Sequence, residues 1–247
     1  MSLQLGFDLP SRPALGRESF FVAPSNAFAM SMIEDWQNWS LGKLVLSGPA
    51  GSGKTHLSTV WSDLSGARLI AAVDVLDHPL PDLAAGPIAV EDMPDIAGNS
   101  ALETQMFHLH NLALEMGHQI LFTGTGPVAG WGIALPDLKS RLMGAPLALL
   151  EPPDDTLLSM LLVKLFSDRQ LNTKPNLISY LLPRIERSFA AANAVVEQLD
   201  AASLAQQRPI NRELARHVWT IPPQAHDNRV FATPLNVPQL DQDMAPK

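Results

Sequence analysis

The chain has 247 residues, 46% of them apolar, enough to bury a sizeable core in one large domain or in a main domain with a small satellite. A net charge of −8 and a pI near 5.3 argue against a strong nucleic-acid binder, whose affinity comes from clustered Lys and Arg displacing counterions; here the basic residues are scattered. With no cysteine, disulfides and thiolate metal sites are excluded, which fits a reducing compartment.

Residues 1–19 are punctuated by Pro and Gly and read as an extended lead. Met1 to Pro10 has no basic segment followed by an apolar stretch, so a secretory signal is not expected. Within the lead Leu5, Phe7 and Leu9 alternate, so an extended chain presents all three on one face with Gln4 ahead of them. Such a strip suits a peptide laid into an apolar groove. Ala27 to Trp39 has apolar residues at helical spacing (Ala27, Met30, Ile33, Trp36), with Ser25 or Asn26 placed to cap it. Leu44 to Leu46 is a short buried strand running into Gly48. Thr55 to Leu64 is a predicted helix and Arg68 to Ala72 a strand. Pro87 to Val90 is a strand ending in Glu91-Asp92, Leu102 to Met116 a helix and Gln119 to Thr123 a further strand. Strands alternating with helices predict an α/β domain with a mostly parallel sheet.

The pattern changes after Pro152-Pro153. Asp154 or Asp155 caps a helix to about Arg169, and Asn176 to Leu182, Arg187 to Gln206 and Asn211 to Val218 are helical in turn. No strand signal recurs. The predicted division is an α/β core over 20–152, an all-helical lid over 153–219 and a Pro-rich tail over 220–247, starting at Thr220. The longest uncharged apolar run, around Leu157 to Val163, is far short of a membrane span. The expectation is therefore a soluble, cytoplasmic protein.

Gly48-Pro49-Ala50-Gly51-Ser52-Gly53-Lys54-Thr55 matches the phosphate-binding pattern G-x-x-x-x-G-K-[ST] in full, with a strand before it and a helix after. Its glycines let successive N–H groups converge on phosphate oxygens, and the helix presents its positive end to the same anion. Lys54 would reach the β- and γ-phosphates of ADP or ATP, and the Thr55 hydroxyl would ligate Mg²⁺. Such a site needs a carboxylate at the end of a neighbouring strand for the metal, and often a second to orient water. Glu91 and Asp92 are the candidates. Glu91 stands where Asp is usual and is one methylene longer, so either it serves with an adjusted metal shell or Asp92 takes the role. His108 and His110, two apart on a helix, face different sides and do not suggest a metal site.

The flanks of the loop resemble the DnaA-type AAA+ family of bacterial replication initiators. Phe21-Val22-Ala23-Pro24-Ser25-Asn26-Ala27-Phe28-Ala29 is similar to the segment that opens that domain. The resemblance implies that Phe21, Val22 and Asn26 lie beside the adenine, with His56 of Thr55-His56-Leu57 close by. Leu138-Lys139-Ser140-Arg141-Leu142, followed by Glu151-Pro152-Pro153-Asp154, is similar to the box carrying the family's arginine finger, which implies that Arg141 acts on nucleotide held by a neighbouring subunit. Arg187 stands in the place of the family's sensor II arginine. Ile120 to Thr125 is similar to the sensor I strand, with Thr125 where the family has an acid. That departure, with Glu91, argues against efficient hydrolysis by the chain itself.

A module of this kind with only a short lead, and a Pro-rich tail in place of a DNA-binding domain, resembles the Hda regulators within the family. Those inactivate DnaA, and Gln4 to Pro10 is similar to their sliding-clamp-binding motif. The resemblance implies a clamp-tethered protein that binds ADP or ATP with Mg²⁺ and stimulates hydrolysis of DnaA-bound ATP. Its partners would be the sliding clamp through Gln4, Leu5, Phe7 and Leu9, DnaA, and a second copy of itself. Strong direct DNA binding is not expected. The alternative is an autonomous, helicase-loader-like AAA+ ATPase.

Overall fold

A computed structural model describes residues 16–218. The expectations placed on Gln4, Leu5, Phe7 and Leu9, and on the tail from Thr220, lie outside the described residues.

Among the described residues five strands form one sheet: β1 (Lys43–Ser47), β2 (Arg68–Ala71), β3 (Ile88–Glu91), β4 (Ile120–Gly124) and β5 (Leu147–Leu149). Their order is β2-β3-β4-β1-β5, and every pairing is parallel. A parallel sheet needs crossovers, and these cover both faces. The helices are α1 (Ala27–Glu34), α2 (Lys54–Ser65), α3 (Leu80–Leu83), α4 (Ser100–Glu115) and α5 (Pro136–Met143), then α6 (Asp155–Asp168), α7 (Pro175–Leu181), α8 (Phe189–Gln206) and α9 (Arg212–Val218). Among the described residues no helix is long and apolar enough to cross a membrane.

Alternation along the strands splits the apolar side chains between two cores. Val45, Val90, Ile120 and Phe122 pack with Met106 and Leu109 of α4 and Leu138 and Leu142 of α5. Leu44, Leu46, Ala89 and Leu121 pack on the opposite face with Met30 and Ile33 of α1 and Leu57 and Trp61 of α2. This two-sided burial is why the strands read as continuous apolar runs. A third core joins Leu158, Leu162 and Phe166 of α6 to Leu177 and Leu181 of α7, Val196 and Leu199 of α8 and Leu214 of α9.

The structure departs from the predicted elements in instructive places. The helix expected to reach Trp39 stops at Glu34, where the Asp35 amide closes on Ser31 O. A tight 3-10 turn over Trp36–Asn38 follows, held by Asn38 Nδ2 donating to Asp35 Oδ1 at 2.6 Å, and Trp39 turns inward to stack on Trp61. Asn26 does precede α1, but its side chain makes no cap: Oδ1 accepts from Ala23 N instead. For α6 it is Asp154 that caps, accepting from Leu157 N at 2.7 Å. Helix α8 begins at Phe189, two residues later than predicted, with Ser188 as its cap accepting from Ala191 N. Strand β5 was not expected; it is three residues long and buries only Ala148.

Candidate nucleotide site and the arginine helix

The phosphate loop leaves β1, the strand lying between β4 and β5, and enters α2 at Lys54. Two glycines show why the loop closes as it does. A Cβ on Gly48 would lie 2.7 Å from both Leu150 O and Ser52 Oγ. Gly51 has φ +68°, and a Cβ there would meet the Cβ of Ser188, from the lid, at 2.9 Å. Backbone and lid together thus demand a bare residue at 51. Phe189 N donates to Gly51 O at 2.8 Å, so the start of α8 rests directly on the loop.

Lys54 is buried, and its Nζ donates to Gly48 O (2.9 Å), Pro49 O (3.0 Å) and the Thr125 hydroxyl (3.3 Å). Burial lowers its pKa, while the charges of Asp92 and Glu91 pull the other way. Glu91 ends β3 half-buried; burial raises its pKa, opposed by the nearby Thr55 and Ser58 hydroxyls. None of these groups closes a well-formed hydrogen bond on Glu91 Oε1, which stays without a partner, as do Ser58 Oγ and Ser52 Oγ. Buried polar atoms are almost always satisfied. Three orphans on and beside one phosphate loop, with a buried ammonium among them, fit a polar ligand with a cation. Thr55 and Glu91 are the residues here whose oxygens could hold Mg²⁺. Asp92 is exposed in a left-handed conformation (φ 56°), its N–H donating to Thr123 Oγ1 at 3.2 Å. Glu91, not Asp92, is the inner carboxylate.

The predicted adenine side is built from a local clasp. Asn26 is buried and ties Phe21 O (2.9 Å) and Ala23 N (2.8 Å) to one side chain, which fixes the bend from Phe21 into α1. Val22 is exposed, and Glu151 N donates to Ser25 O, joining this segment to the exit of β5. His56, in the first turn of α2, meets Phe20 edge-on with ring centroids 5.1 Å apart. Pro49 and Ala50 form the exposed crest of the loop, and Gly53 (φ 99°) opens the helix. Phe20, Ser188 and Phe189 were not anticipated as neighbours of the loop. The signal available for the last two was the serine-capped start of α8.

Two arginines are placed differently from the loop residues. Arg187 pairs with Asp155 at 2.9 Å, both largely exposed, and the two residues after it, Ser188 and Phe189, meet the loop at Gly51. Exposed pairs of this kind contribute only about 0–1 kcal/mol, so Asp155 holds the guanidinium weakly. Arg141 is exposed near the end of α5 and has no ion-pair partner among the described residues. Its carbonyl accepts from Lys43 Nζ at 2.9 Å. Lys43 opens β1 and the phosphate loop follows its last residue, so this anchor lies about 15 Å along the strand from the loop, at 3.3 Å per residue. Lys43 is itself buried, and burial followed by the Arg141 charge lowers its pKa.

The other end of α5 is held as firmly. Glu103, 1% exposed on α4, accepts from Gly98 N (2.7 Å), Ala134 N (3.0 Å) and Leu135 N (2.6 Å), the last being the residue that precedes α5. Burial alone would raise its pKa, but the three backbone donors outweigh it and hold the carboxyl below the usual glutamate range. Neither Lys43 nor Glu103 was singled out in the sequence. A lone charge inside an otherwise apolar strand or helix face was the available cue.

No protein-family model matches the chain. Solved structures do resemble it. Domain III of the Thermotoga maritima replication initiation protein DnaA superposes with a TM-score of 0.73 at 18% identity, covering 85% of this chain and 97% of that one. AMPPCP-bound DnaA from Aquifex aeolicus gives a TM-score of 0.64 at 18% identity, covering 78% and 67%. The Thermotoga maritima RuvB Holliday junction branch migration motor gives 0.63 at 14% identity, covering 82% and 70%. At these identities the likeness is one of fold: the chain has the α/β, mostly parallel AAA+ architecture of the DnaA and RuvB structures.

Proposed function

We propose that the protein is an Hda-type AAA+ regulator of replication initiation. It is organised as a clamp-binding lead (1–19), a nucleotide-binding core (20–152), a helical lid (153–219) and a Pro-rich tail (220–247), and it works in the cytoplasm. It binds ADP or ATP with Mg²⁺ between core and lid, docks on DnaA while tethered to the sliding clamp, and stimulates hydrolysis of DnaA-bound ATP. Arg141 carries this reading. It is a cation with no ion-pair partner among the described residues, on a helix clamped at both ends by buried charges and anchored at the far end of β1 from the chain's own loop. A guanidinium in that position is of little use to its own nucleotide and well presented to another subunit's. There it would stabilise charge developing on the γ-phosphate, an effect on the order of 10³ or more in rate.

The chain's own nucleotide is structural in this account. Lys54 and the loop amides bind its phosphates, Thr55 and Glu91 hold Mg²⁺, whose charge offsets that of the phosphates, and the α8 start seals the loop. Thr125 offers Lys54 a hydroxyl where the family has an acid, and Asp92 stands outside, so the means to orient an attacking water are poor. A turnover assay separates the readings. The regulator shows slow hydrolysis alone and marked stimulation only with DnaA·ATP and clamp together. Robust turnover by the isolated chain, raised further by single-stranded DNA, would instead establish the autonomous, loader-like ATPase.

A further inference from the structure

The lid carries a second cationic site, away from the phosphate loop. Tyr180, the single tyrosine of the chain, lies half-buried on α7. The Arg184 guanidinium carbon stands 4.1 Å from its ring centroid, that of Arg212 5.1 Å and that of Arg216 6.0 Å. Arg184 also donates to Tyr180 O at 2.9 Å, which fixes its stem. Asn176, Ser179, Tyr180, Arg184 and Arg212 line an open groove of about 310 Å³, the lower end of the size range of small-ligand sites.

None of these three arginines has a carboxylate partner among the described residues. The neighbouring acid, Glu213, is engaged by Arg208 at 3.1 Å. Gathering three cations round one ring places them within roughly a Debye length, ~10 Å at 0.1 M salt, where their repulsion is only partly screened. Each contact with the ring returns about 0.5–2 kcal/mol, which explains the geometry but leaves three positive charges with no carboxylate partner among the described residues, in a chain whose net charge is −8. Guanidinium forks match the oxygens of phosphate in bidentate pairs. Three of them suit a dianion with several oxygens better than a single carboxylate, and the Asn176 amide adds a neutral donor, while the Ser179 hydroxyl donates to Pro175 O at 3.3 Å. The chain's net charge of −8 repels a polyanion at long range.

We propose that this groove binds one phosphoryl group, as free phosphate or a phosphomonoester. The site is independent of the nucleotide loop and of the function argued above. The single tyrosine gives a direct probe: full-length protein labelled with 3-fluorotyrosine has one ¹⁹F resonance, at the site itself. The loop is blocked in one sample by saturating ADP and Mg²⁺ and disabled in another by Lys54→Ala. Titration with inorganic phosphate, and in parallel with O-phosphoserine, is expected to shift the resonance saturably in both samples, while sodium chloride at matched ionic strength does not. The tighter of the two ligands distinguishes free phosphate from an esterified group. Arg212→Gln and Arg216→Gln alter exposed side chains and should each weaken binding about tenfold with an unchanged melting midpoint. A shift reproduced by chloride, or unchanged in the Arg212→Gln/Arg216→Gln double variant, overturns the proposal. So does a response to micromolar oligothymidylate with none to phosphate, which would make the groove a nucleic-acid contact.

Discussion

At the end of β3 the Glu91 carboxyl is half-buried with one oxygen unsatisfied, and its pKa is raised, by burial first. A group whose folded pKa lies above its unfolded value holds more protons folded than unfolded, so stability falls as pH rises through that window. Below the ordinary glutamate range Glu91 is neutral in both states and costs nothing; above its raised folded value the full cost of a buried charge is present. Glu91→Gln should therefore raise the melting midpoint of nucleotide-free protein by a few degrees at pH 7–8, with the gain vanishing towards pH 4. It should also weaken Mg²⁺-dependent nucleotide binding. Thermal melts across pH check the first part, and a gain that does not vary with pH would contradict it. At this scale the position of the loop between a strand and a helix was legible, because the motif is a run of consecutive residues. Polar side chains with a choice of partners were less so. Asn26 serves the backbone at Ala23 and Phe21 rather than the α1 cap, and Arg187 is held by Asp155 from another helix. Local spacing does not decide such competitions; three-dimensional neighbours do.

Helix α5 shows how an element is positioned. It is tied at its start by Glu103 and near its end by Lys43, with Leu138 and Leu142 buried between. Glu103→Gln keeps the shape but removes the charge and turns an amide N–H₂ towards backbone donors. The cost should be on the order of 1–3 kcal/mol, or ~2–4 °C in melting midpoint per kcal/mol, together with reduced stimulation of DnaA. Because the folded pKa of Glu103 is depressed, its contribution is present above the ordinary glutamate range and fades as pH falls through that range towards the folded value. Wild type and variant should thus converge in stability in acid, and a difference that persists there would contradict this role. The long apolar strands and the amphipathic helices were readable from periodicity. Strand β5 was not, since three residues with one buried side chain carry no period, and its place beside β1 is set by the sheet. The true end of α1 was hidden because Trp36 and Trp39 continue the apolar spacing while the chain has already turned.

For the molecule as a whole, a parallel sheet, a phosphate loop that meets the lid and an exposed arginine are what the proposed nucleotide-dependent docking role requires. The α/β, mostly parallel sheet was foreseen from strand–helix alternation and its AAA+ arrangement from the resemblance of the segments flanking the loop, and the superpositions bear out that fold. The tether belongs to this scale too. Gln4→Ala with Leu5→Ala should abolish binding to the sliding clamp in a surface-binding assay while leaving ADP affinity unchanged; retained clamp affinity would place the contact elsewhere. Most direct of all is the rate of hydrolysis of ATP pre-bound to DnaA, measured with clamp on DNA and either wild-type protein or Arg141→Ala. The account predicts that the variant folds and binds ADP as wild type does but loses the stimulation, by a factor on the order of 10³ in the limit of a full finger role. Equal stimulation by the two proteins would contradict it.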